Sequence, residues 1–93
     1  MDVPVVRKRA TIVNKRGLHA RASAKFVETV ARYQSEVTVK KDDTEVSGRS
    51  IMGLMMLGAS VGTSVELTAV GADAEEVIAA LVKLIGARFY EDA

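Results

Sequence analysis

The sequence predicts an α+β fold, an open-faced sandwich in which three helices cover one face of a four-stranded antiparallel sheet. Stretches of alternating polar and apolar residues, typical of half-buried strands, are interleaved with stretches in which apolar residues recur every three or four positions, as in amphipathic helices. Their order along the chain is βαββαβα. Neither a linker nor a repeat nor a low-complexity segment interrupts this order, so we expect a single domain over residues 1–93.

The first strand and the first helix lie on either side of Gly17. In residues 5–13, Ala10 and Ile12 alternate with polar side chains, which predicts a strand with one buried face. Beyond Gly17, apolar side chains recur at helical spacing and predict a helix over about residues 20–33.

A β-hairpin and a short apolar helix follow. Val37 and Val39 alternate with polar residues before the turn-forming sequence DDT, and a short partner strand is expected around Val46. The hydroxyl of Ser50 is suited to cap the first turn of the next helix, which we expect to end at Gly58.

The last strand and the last helix complete the fold. Residues 64–70 alternate in polarity after a turn at Gly62, which predicts a strand. Asp73 and Glu76 have the spacing of a capping box, in which side chains at a helix start bond free backbone N–H groups. The apolar stripe of that helix comprises Val77, Ile78, Leu81, Val82 and Ile85.

Composition disfavours several classes of function. The chain has no cysteine and a single histidine, which cannot supply the ligand pairs of a zinc site, so we expect neither a metal nor a cofactor. Thirteen basic and twelve acidic residues leave a net charge of +1, too small to draw the whole chain to nucleic acid or to a membrane surface. No apolar run approaches the ~20 residues of a membrane span and no signal peptide is visible, so we expect a cytoplasmic protein.

The histidine, His19, is expected where the first loop meets the first helix. The free N–H groups of a helix start carry partial positive charge and favour an anion such as phosphate. Arg21 adds a permanent charge and donors that suit phosphate oxygens, an arrangement fit for carrying phosphate on the ring. The residues alone nevertheless favour a histidine without a chemical role, because no carboxylate or second catalytic group can be assigned beside it.

Two segments resemble signature motifs of the HPr/NPr family, the histidine-containing phosphocarriers of the bacterial phosphotransferase system. GLHARAS (residues 17–23) resembles the family's active-site motif, and SGRSIMGLMMLGAS (residues 47–60) resembles its second motif, around a regulatory serine. Their separation also matches, and the resemblance covers essentially the whole chain. It implies the βαββαβα fold and a stoichiometric phosphoryl carrier, which is not itself an enzyme.

The resemblance also assigns roles to individual residues. His19 is implied to take a phosphoryl group on Nδ1 from enzyme I and to pass it to IIA proteins, with Arg21 assisting. The backbone N–H groups of Ala20 and Arg21 are implied to hold the phosphoryl oxygens. Ser50 is implied to be phosphorylated by the ATP-dependent HPr kinase/phosphorylase. Ala22 stands where the family usually has proline, and both sugar uptake and nitrogen regulation remain open as the output.

The second helix is apolar on nearly all sides. The spacing of Ile51, Met52, Met55 and Leu57 fits a core helix, but a short helix outside an open sheet cannot bury every face, and methionine adapts to different partners. The resemblance implies that Ile51, Met52 and Met55, with Arg49 at the rim, contact enzyme I and IIA proteins. We expect Lys25, together with the arginines at positions 21 and 49, to attract acidic partners.

Two functions of other classes compete with a phosphocarrier. A small nucleic-acid-binding α+β module is the main alternative, because the sequences VRKR and NKR supply local basic residues. The near-neutral charge and the scarcity of aromatic residues that could stack on bases argue against it. An enzyme with a small-molecule pocket is disfavoured by the size of the chain and by the missing second catalytic group.

Overall fold

Within residues 2–91, which the computed structural model describes, four strands and three helices follow one another in the predicted order βαββαβα. The strands are β1 (Val5–Thr11), β2 (Glu36–Lys41), β3 (Thr44–Ser47) and β4 (Ser64–Val70). The α-helices are α1 (Ala20–Val30), α2 (Ile51–Met56) and α3 (Ala74–Gly86), and a single 3₁₀ turn, Arg88–Tyr90, follows α3. The predicted α+β class is confirmed. None of the helices in residues 2–91 combines the length and the apolar character needed to cross a membrane.

The strands form one antiparallel sheet in the order β1-β4-β2-β3. Alternate residues of β4 are buried on its inner face: Val65, Leu67 and Ala69. On the outer face, Glu66 of β4 is paired with Arg9 of β1 on one side and with Lys40 of β2 on the other. Opposite charges on adjacent strands are favourable neighbours. The outer face is therefore charged and suited to contact with water, whereas the inner face packs against the helices.

The core lies between the inner face of the sheet and the helices. Its largest fully buried side chains come from all parts of the fold: Phe26, Phe89, Ile12, Leu54, Leu67 and Leu81. Burying a side chain of this size contributes about 1.5–3 kcal/mol. Phe89 follows α3 in the chain, so the C-terminal segment supplies part of the core before it reaches the candidate site.

Asp73 does not form the predicted capping box. It occupies the N-cap position of α3, but its carboxylate accepts no hydrogen bond from the described residues of that helix. Instead it accepts bonds from the backbone N–H groups of Gln34 and Ser35, at 2.8 and 2.9 Å, and from the Ser35 hydroxyl at 2.5 Å. These three hydrogen bonds tie residues 34–35 to the start of α3. The helix α1 ends at Val30 and not at residue 33.

Two loops at one end of the sandwich are bonded to each other and position the candidate site. In the loop after β1, the N–H of Ile12 donates to the carbonyl of Thr63 at 2.8 Å, and the N–H of Leu18 donates to that of Ala59 at 3.0 Å. Gly17, with φ of +64°, lies so close to Ala59 that a Cβ at this position would collide with its backbone. The conformation of residues 12–18 is therefore fixed by the loop between α2 and β4.

Candidate functional site

His19 occupies the N-cap position of α1, with an extended backbone at φ −74° and ψ −179°. Its Nδ1 accepts a hydrogen bond from the backbone N–H of Arg21 at 3.3 Å, and its carbonyl accepts the first helical bond, from Ser23, at 2.8 Å. Histidine is not among the favoured N-cap residues, so a ring nitrogen here takes the place of the usual side-chain oxygen. Nδ1 therefore lies at the positive end of a helix, where phosphate is favoured.

The other ring nitrogen of His19, Nε2, contacts the carboxylate of Glu91. The two side chains are 24% and 11% exposed, so the pair is largely shielded from water. The buried side-chain amide of Asn14 donates to Oε1 of Glu91 at 3.1 Å and to the carbonyl of Gly17 at 2.8 Å. A carboxylate thus lies beside the histidine, although the sequence analysis assigned none there.

A left-handed turn brings Glu91 to the histidine. Arg88, Phe89 and Tyr90 have φ values of 58°, 55° and 59°, which residues with a Cβ rarely adopt. The turn is anchored at Phe89, because the phenyl ring is buried in the core and the carbonyl accepts a bond from Nζ of Lys25 at 2.6 Å. No local pattern in the sequence signals such a turn, which is why Glu91 was missed.

The surroundings of Glu91 keep its carboxyl ionised. Burial alone would raise its pKa, but hydrogen bonds from His19 and Asn14 and electrostatic interactions with His19 and Arg16 together outweigh burial. The pKa of Glu91 is therefore lowered from its ordinary value of 4.5. Within residues 2–91, no cluster of three or more His, Cys, Asp or Glu side chains could hold a metal ion.

A shallow depression of about 260 Å³ joins the histidine to α2. It is lined by Arg16, Leu18, His19, Met55 and residues 58–60. The structure thus places Met55, a predicted docking residue, at the same depression as His19. Arg16, which the sequence analysis noted only as part of a basic run, adds a positive charge there.

The three basic residues that were predicted to surround the site have different environments. Arg21 is exposed on the first turn of α1. Lys25 is directed at the C-terminal segment of the chain, through the bond to the carbonyl at position 89. Nη2 of Arg49 donates to the carbonyl of Tyr33 at 3.3 Å, beyond the last turn of α1. Because α1 has 11 residues, about 16 Å at 1.5 Å per residue, Arg49 lies at the end of α1 opposite the histidine.

Ser50 caps α2 as predicted, since its Oγ accepts the backbone N–H of Gly53 at 2.9 Å. Within the helix only Leu54 is buried. Four large apolar side chains of α2 are 40% to 76% exposed: Ile51, Met52, Met55 and Met56. The core interpretation is therefore wrong for Ile51, Met52 and Met55, and it is correct for Leu57, which is buried. Met56, the most exposed of them, was not predicted as part of the surface.

Comparisons with known proteins agree with this geometry. A family model described as "PTS HPr component phosphorylation site" matches residues 6–87. The chain is 51% identical over 87 residues to the phosphocarrier protein HPr of Neisseria meningitidis serogroup A, with 94% of this chain and 98% of that relative covered. It is 34% identical over 86 residues to the phosphocarrier protein NPr of Shewanella violacea, with 92% and 94% covered.

Solved structures show the same fold. The crystal structure of HPr from Thermoanaerobacter tengcongensis matches with a TM-score of 0.89 and 46% identity, over 95% of this chain and 99% of that one. The two relatives are phosphocarriers by name and the solved structure is of an HPr, and none of them supports the alternative of a nucleic-acid-binding module.

Proposed function

The chain belongs to the HPr family of phosphotransferase-system phosphocarriers, and from this premise we propose that His19 carries the phosphoryl group on Nδ1. The observation that carries the proposal is the position of Nδ1 at the N-terminal end of α1, 3.3 Å from the backbone N–H of Arg21. HPr proteins work in a relay with enzyme I and IIA proteins. We propose that the chain is a stoichiometric carrier in the cytoplasm, which takes phosphate from the former and gives it to the latter.

In the proposed transfer, the lone pair of Nδ1 forms a bond to phosphorus while the donor's bond to phosphorus breaks and its electron pair stays on the donor. The N–H of Arg21, released from Nδ1, then donates to a phosphoryl oxygen, with the N–H of Ala20 as a second donor. The guanidinium of Arg21 supplies charge-assisted bonds to the same oxygens. Ala22 keeps a backbone N–H that proline would lack, and so adds a donor to this turn.

We propose the exposed face of α2 as the docking surface for enzyme I and IIA proteins. Ile51, Met52 and Met55 form this face, and Met56 extends it. The depression between Met55 and His19 supports the proposal, because a protein bound to α2 would reach the ring. Flexible methionine side chains can adapt to partners of different shape.

Basic residues at the edge of this surface would favour acidic partners. Arg49 is exposed beside the start of α2 and is available for such contacts. Lys25 is less available, because its ammonium is bonded to the C-terminal segment. Arg16, at the depression beside His19, is a further candidate. We therefore assign electrostatic attraction mainly to the three arginines at positions 16, 21 and 49.

We propose Ser50 as a site of regulatory phosphorylation by HPr kinase/phosphorylase. The serine is half-buried at the start of α2, and Ile51 and Met52 of the proposed docking surface follow it directly. A phosphate on Oγ would lie at the N-terminal end of the helix, where negative charge is tolerated, but within the area that a partner must cover.

The proposed function is tested by incubation with enzyme I and phosphoenolpyruvate, followed by intact-mass measurement. We expect the mass of one phosphate to be gained and then lost in mild acid, because a phosphorus–nitrogen bond on histidine is acid-labile. His19→Ala should gain no mass, whereas Ser50→Ala should gain it as the wild type does. An unchanged wild-type mass would contradict the proposal. Repeating the transfer with sugar-type and nitrogen-type IIA proteins identifies the acceptor.

A further inference from the structure

Glu91 contacts His19 on the side of the ring opposite the proposed nucleophilic atom. Oε2 of the carboxylate contacts Nε2, whereas Nδ1 faces the backbone N–H of Arg21. Nδ2 of Asn14 binds the same carboxylate, at 3.1 Å from Oε1 and 3.4 Å from Oε2. Three side chains from two distant parts of the sequence thus form a connected series, from Asn14 through Glu91 to His19.

These contacts select one tautomer of the neutral ring. A neutral imidazole has one N–H and one nitrogen with a free lone pair. Nδ1 accepts the N–H of Arg21, so the lone pair is on Nδ1. Nε2 faces an ionised carboxylate, which can only accept, so Nε2 carries the hydrogen. The other tautomer would place two N–H groups against each other at Nδ1 and two acceptors against each other at Nε2.

We propose that Glu91, held by Asn14, is a positioning residue for phosphoryl transfer, which keeps the hydrogen on Nε2 and balances the positive charge that the ring gains. The proposal rests on the proposed function, because it requires Nδ1 to be the phosphorylated atom. When Nδ1 shares its electron pair with phosphorus, the neutral ring becomes a cation, and the donor atom keeps the pair of the broken bond. The carboxylate stabilises this cation without taking its proton, as the aspartate of a serine-protease triad does.

The charges around the pair suit this role. Arg16 is a nearby cation that acts on Glu91, and its charge, with the hydrogen bonds from His19 and Asn14, keeps the carboxylate ionised. The ammonium of Lys25 is bonded two residues earlier in the chain, to the carbonyl of Phe89. The carboxylate of Glu91 is therefore negatively charged at neutral pH and can stabilise a positive charge on the ring, although its side chain is only 11% exposed.

The orientation of Asn14 is also fixed. Its Nδ2 donates both to the carbonyl of Gly17 and to Glu91, and rotating the amide would turn its oxygen towards those two acceptors. Oδ1 is buried and accepts no hydrogen bond from the described residues. A buried polar atom is seldom left without a hydrogen bond. The orientation of Asn14 is therefore better explained by a role in holding the carboxylate of Glu91 than by a contribution to the stability of the fold. The left-handed turn at residues 88–90 supports the same conclusion, because such strain usually persists where geometry matters.

The test compares three variants of the full chain. Glu91→Ala removes both the acceptor and the charge, Glu91→Gln removes the charge but keeps an oxygen that can accept from Nε2, and Glu75→Gln is a control with the same change of charge. Glu75 is exposed on the first turn of α3. Rates of phosphorylation by phosphorylated enzyme I are measured over a range of carrier concentrations. The protonation of the two ring nitrogens is measured by ¹⁵N NMR at alkaline pH.

We expect kcat to fall about tenfold or more in Glu91→Ala, with little change in KM, because the shielded carboxylate acts on the ring and not on docking. Glu91→Gln should lower kcat but keep the hydrogen on Nε2. In the wild type the NMR spectrum should show a protonated Nε2 and an unprotonated Nδ1, and in Glu91→Ala the two nitrogens should become more alike. Glu75→Gln should behave as the wild type in both measurements.

The outcomes separate this inference from the proposed function. Wild-type kcat in both Glu91 variants would show that Glu91 does not position the ring, while leaving phosphorylation of His19 intact. A wild-type spectrum with the hydrogen on Nδ1 would overturn the tautomer assignment. An equal fall of kcat in Glu75→Gln would attribute the effect to net charge and so contradict the inference. Failure of the wild type to take up phosphate would instead refute the proposed function.

Discussion

The backbone N–H of Arg21 lies 3.3 Å from Nδ1 of His19, so the ring is the N-cap of α1 and the protein itself engages the atom proposed to bind phosphorus. A phosphoryl group on Nδ1 must displace this bond, after which the same N–H can bind a phosphoryl oxygen. The side chain of Arg21 has no comparable structural role, because it is exposed and bonds to no side chain within residues 2–91. The backbone and the side chain of Arg21 can therefore be tested separately.

Arg21→Ala should slow phosphorylation by enzyme I tens- to hundreds-fold while changing the free energy of unfolding by less than about 1 kcal/mol. The guanidinium is lost, but the backbone N–H that caps α1 remains. Arg32→Ala is the matched control, because it removes the same charge from an exposed position just after α1. Transfer rates and urea unfolding measure the two effects. Parallel losses of rate and stability would make Arg21 a structural residue.

Alanine substitutions at Gly17 and Gly58 form a matched pair that tests the contact between the loop after β1 and the loop between α2 and β4. Both glycines have a left-handed backbone, with φ of +64° and +63°. A Cβ on Gly17 would lie 2.9 Å from Cα of Ser60, whereas a Cβ on Gly58 has no atom within 4 Å. We expect Gly58→Ala to cost about 1 kcal/mol of unfolding free energy. Gly17→Ala should cost a further ~1–3 kcal/mol, because a collision with backbone is added to the same strain.

The loop displacement in Gly17→Ala should also slow phosphorylation of His19, since residues 17 and 18 lead directly into the N-cap. Gly58→Ala should keep a larger share of the wild-type rate than Gly17→Ala does. Thermal or urea unfolding and the enzyme I assay measure the two effects. Equal stability of the two alanine variants would show that contact with the α2–β4 loop does not determine the position of the site.

Elements with regular periodicity could be predicted from the sequence, because their packing repeats a local pattern. The strand at residues 64–70 and the cap of α2 at Ser50 follow from alternation and from the chemistry of a single side chain. The contact between Asp73 and residues 34–35 could not be predicted in this way. The donors at Gln34 and Ser35 are 39 and 38 residues away in sequence from the carboxylate that accepts their bonds.

Of the candidate site, only the part formed by the motif around His19 could be predicted from the sequence. Asn14 and Glu91 are 77 residues apart and meet through a left-handed turn of residues that have no preference for that conformation. The sequence signals nothing of such a contact, because neither the turn nor the burial of Asn14 follows a periodic pattern. The hydrogen bond from the ammonium of Lys25 to the C-terminal segment was not predicted for the same reason, since it depends on where that segment packs.

Asp73→Asn should lower the melting temperature at neutral pH by several degrees. Both carboxylate oxygens accept bonds from donors at Gln34 and Ser35, so an amide would turn an N–H group towards one of these donors. Asp43→Asn is the control, because Asp43 is exposed in the turn between β2 and β3. Thermal melting followed by circular dichroism measures the difference. A melting temperature equal to that of the control would show that the loop is held by other contacts.

The difference in melting temperature between the wild type and Asp73→Asn should depend on pH. The hydrogen bond from the Ser35 hydroxyl, and after it that from the N–H of Gln34, lower the pKa of Asp73 from its ordinary value of 3.8. A carboxyl whose pKa is lowered by folding stabilises the protein fully above its unfolded pKa, and this stabilisation is lost as the pH falls through the folded pKa. We therefore expect a constant difference in melting temperature well above pH 3.8, which shrinks as the pH falls below that value. A difference that persists unchanged in strong acid would contradict the role of the ionised carboxylate.

A negative charge at Ser50 should weaken docking and leave both the fold and the chemistry of His19 unchanged. Ser50 follows Arg49, which is bonded near the far end of α1, whereas Met55 lines the depression beside His19. The serine and the histidine are thus joined by the docking surface on α2 and not by direct contact. A charge at Ser50 would repel an acidic partner and raise the cost of burying the neighbouring apolar side chains.

Ser50→Asp should therefore raise KM for phosphorylation by enzyme I about fivefold to tenfold, with kcat and melting temperature close to those of the wild type. Ser50→Asn is the matched control, because asparagine caps a helix as well as aspartate does but carries no charge, and it should keep the wild-type KM. Ser50→Ala should lose at most about 1 kcal/mol of unfolding free energy, from the missing bond to the N–H of Gly53. Since the charge acts on the approach of the partner, the increase in KM should become smaller at high salt. A fall in kcat at constant KM, or equal kinetics in the aspartate and asparagine variants, would show that Ser50 does not act through the docking surface.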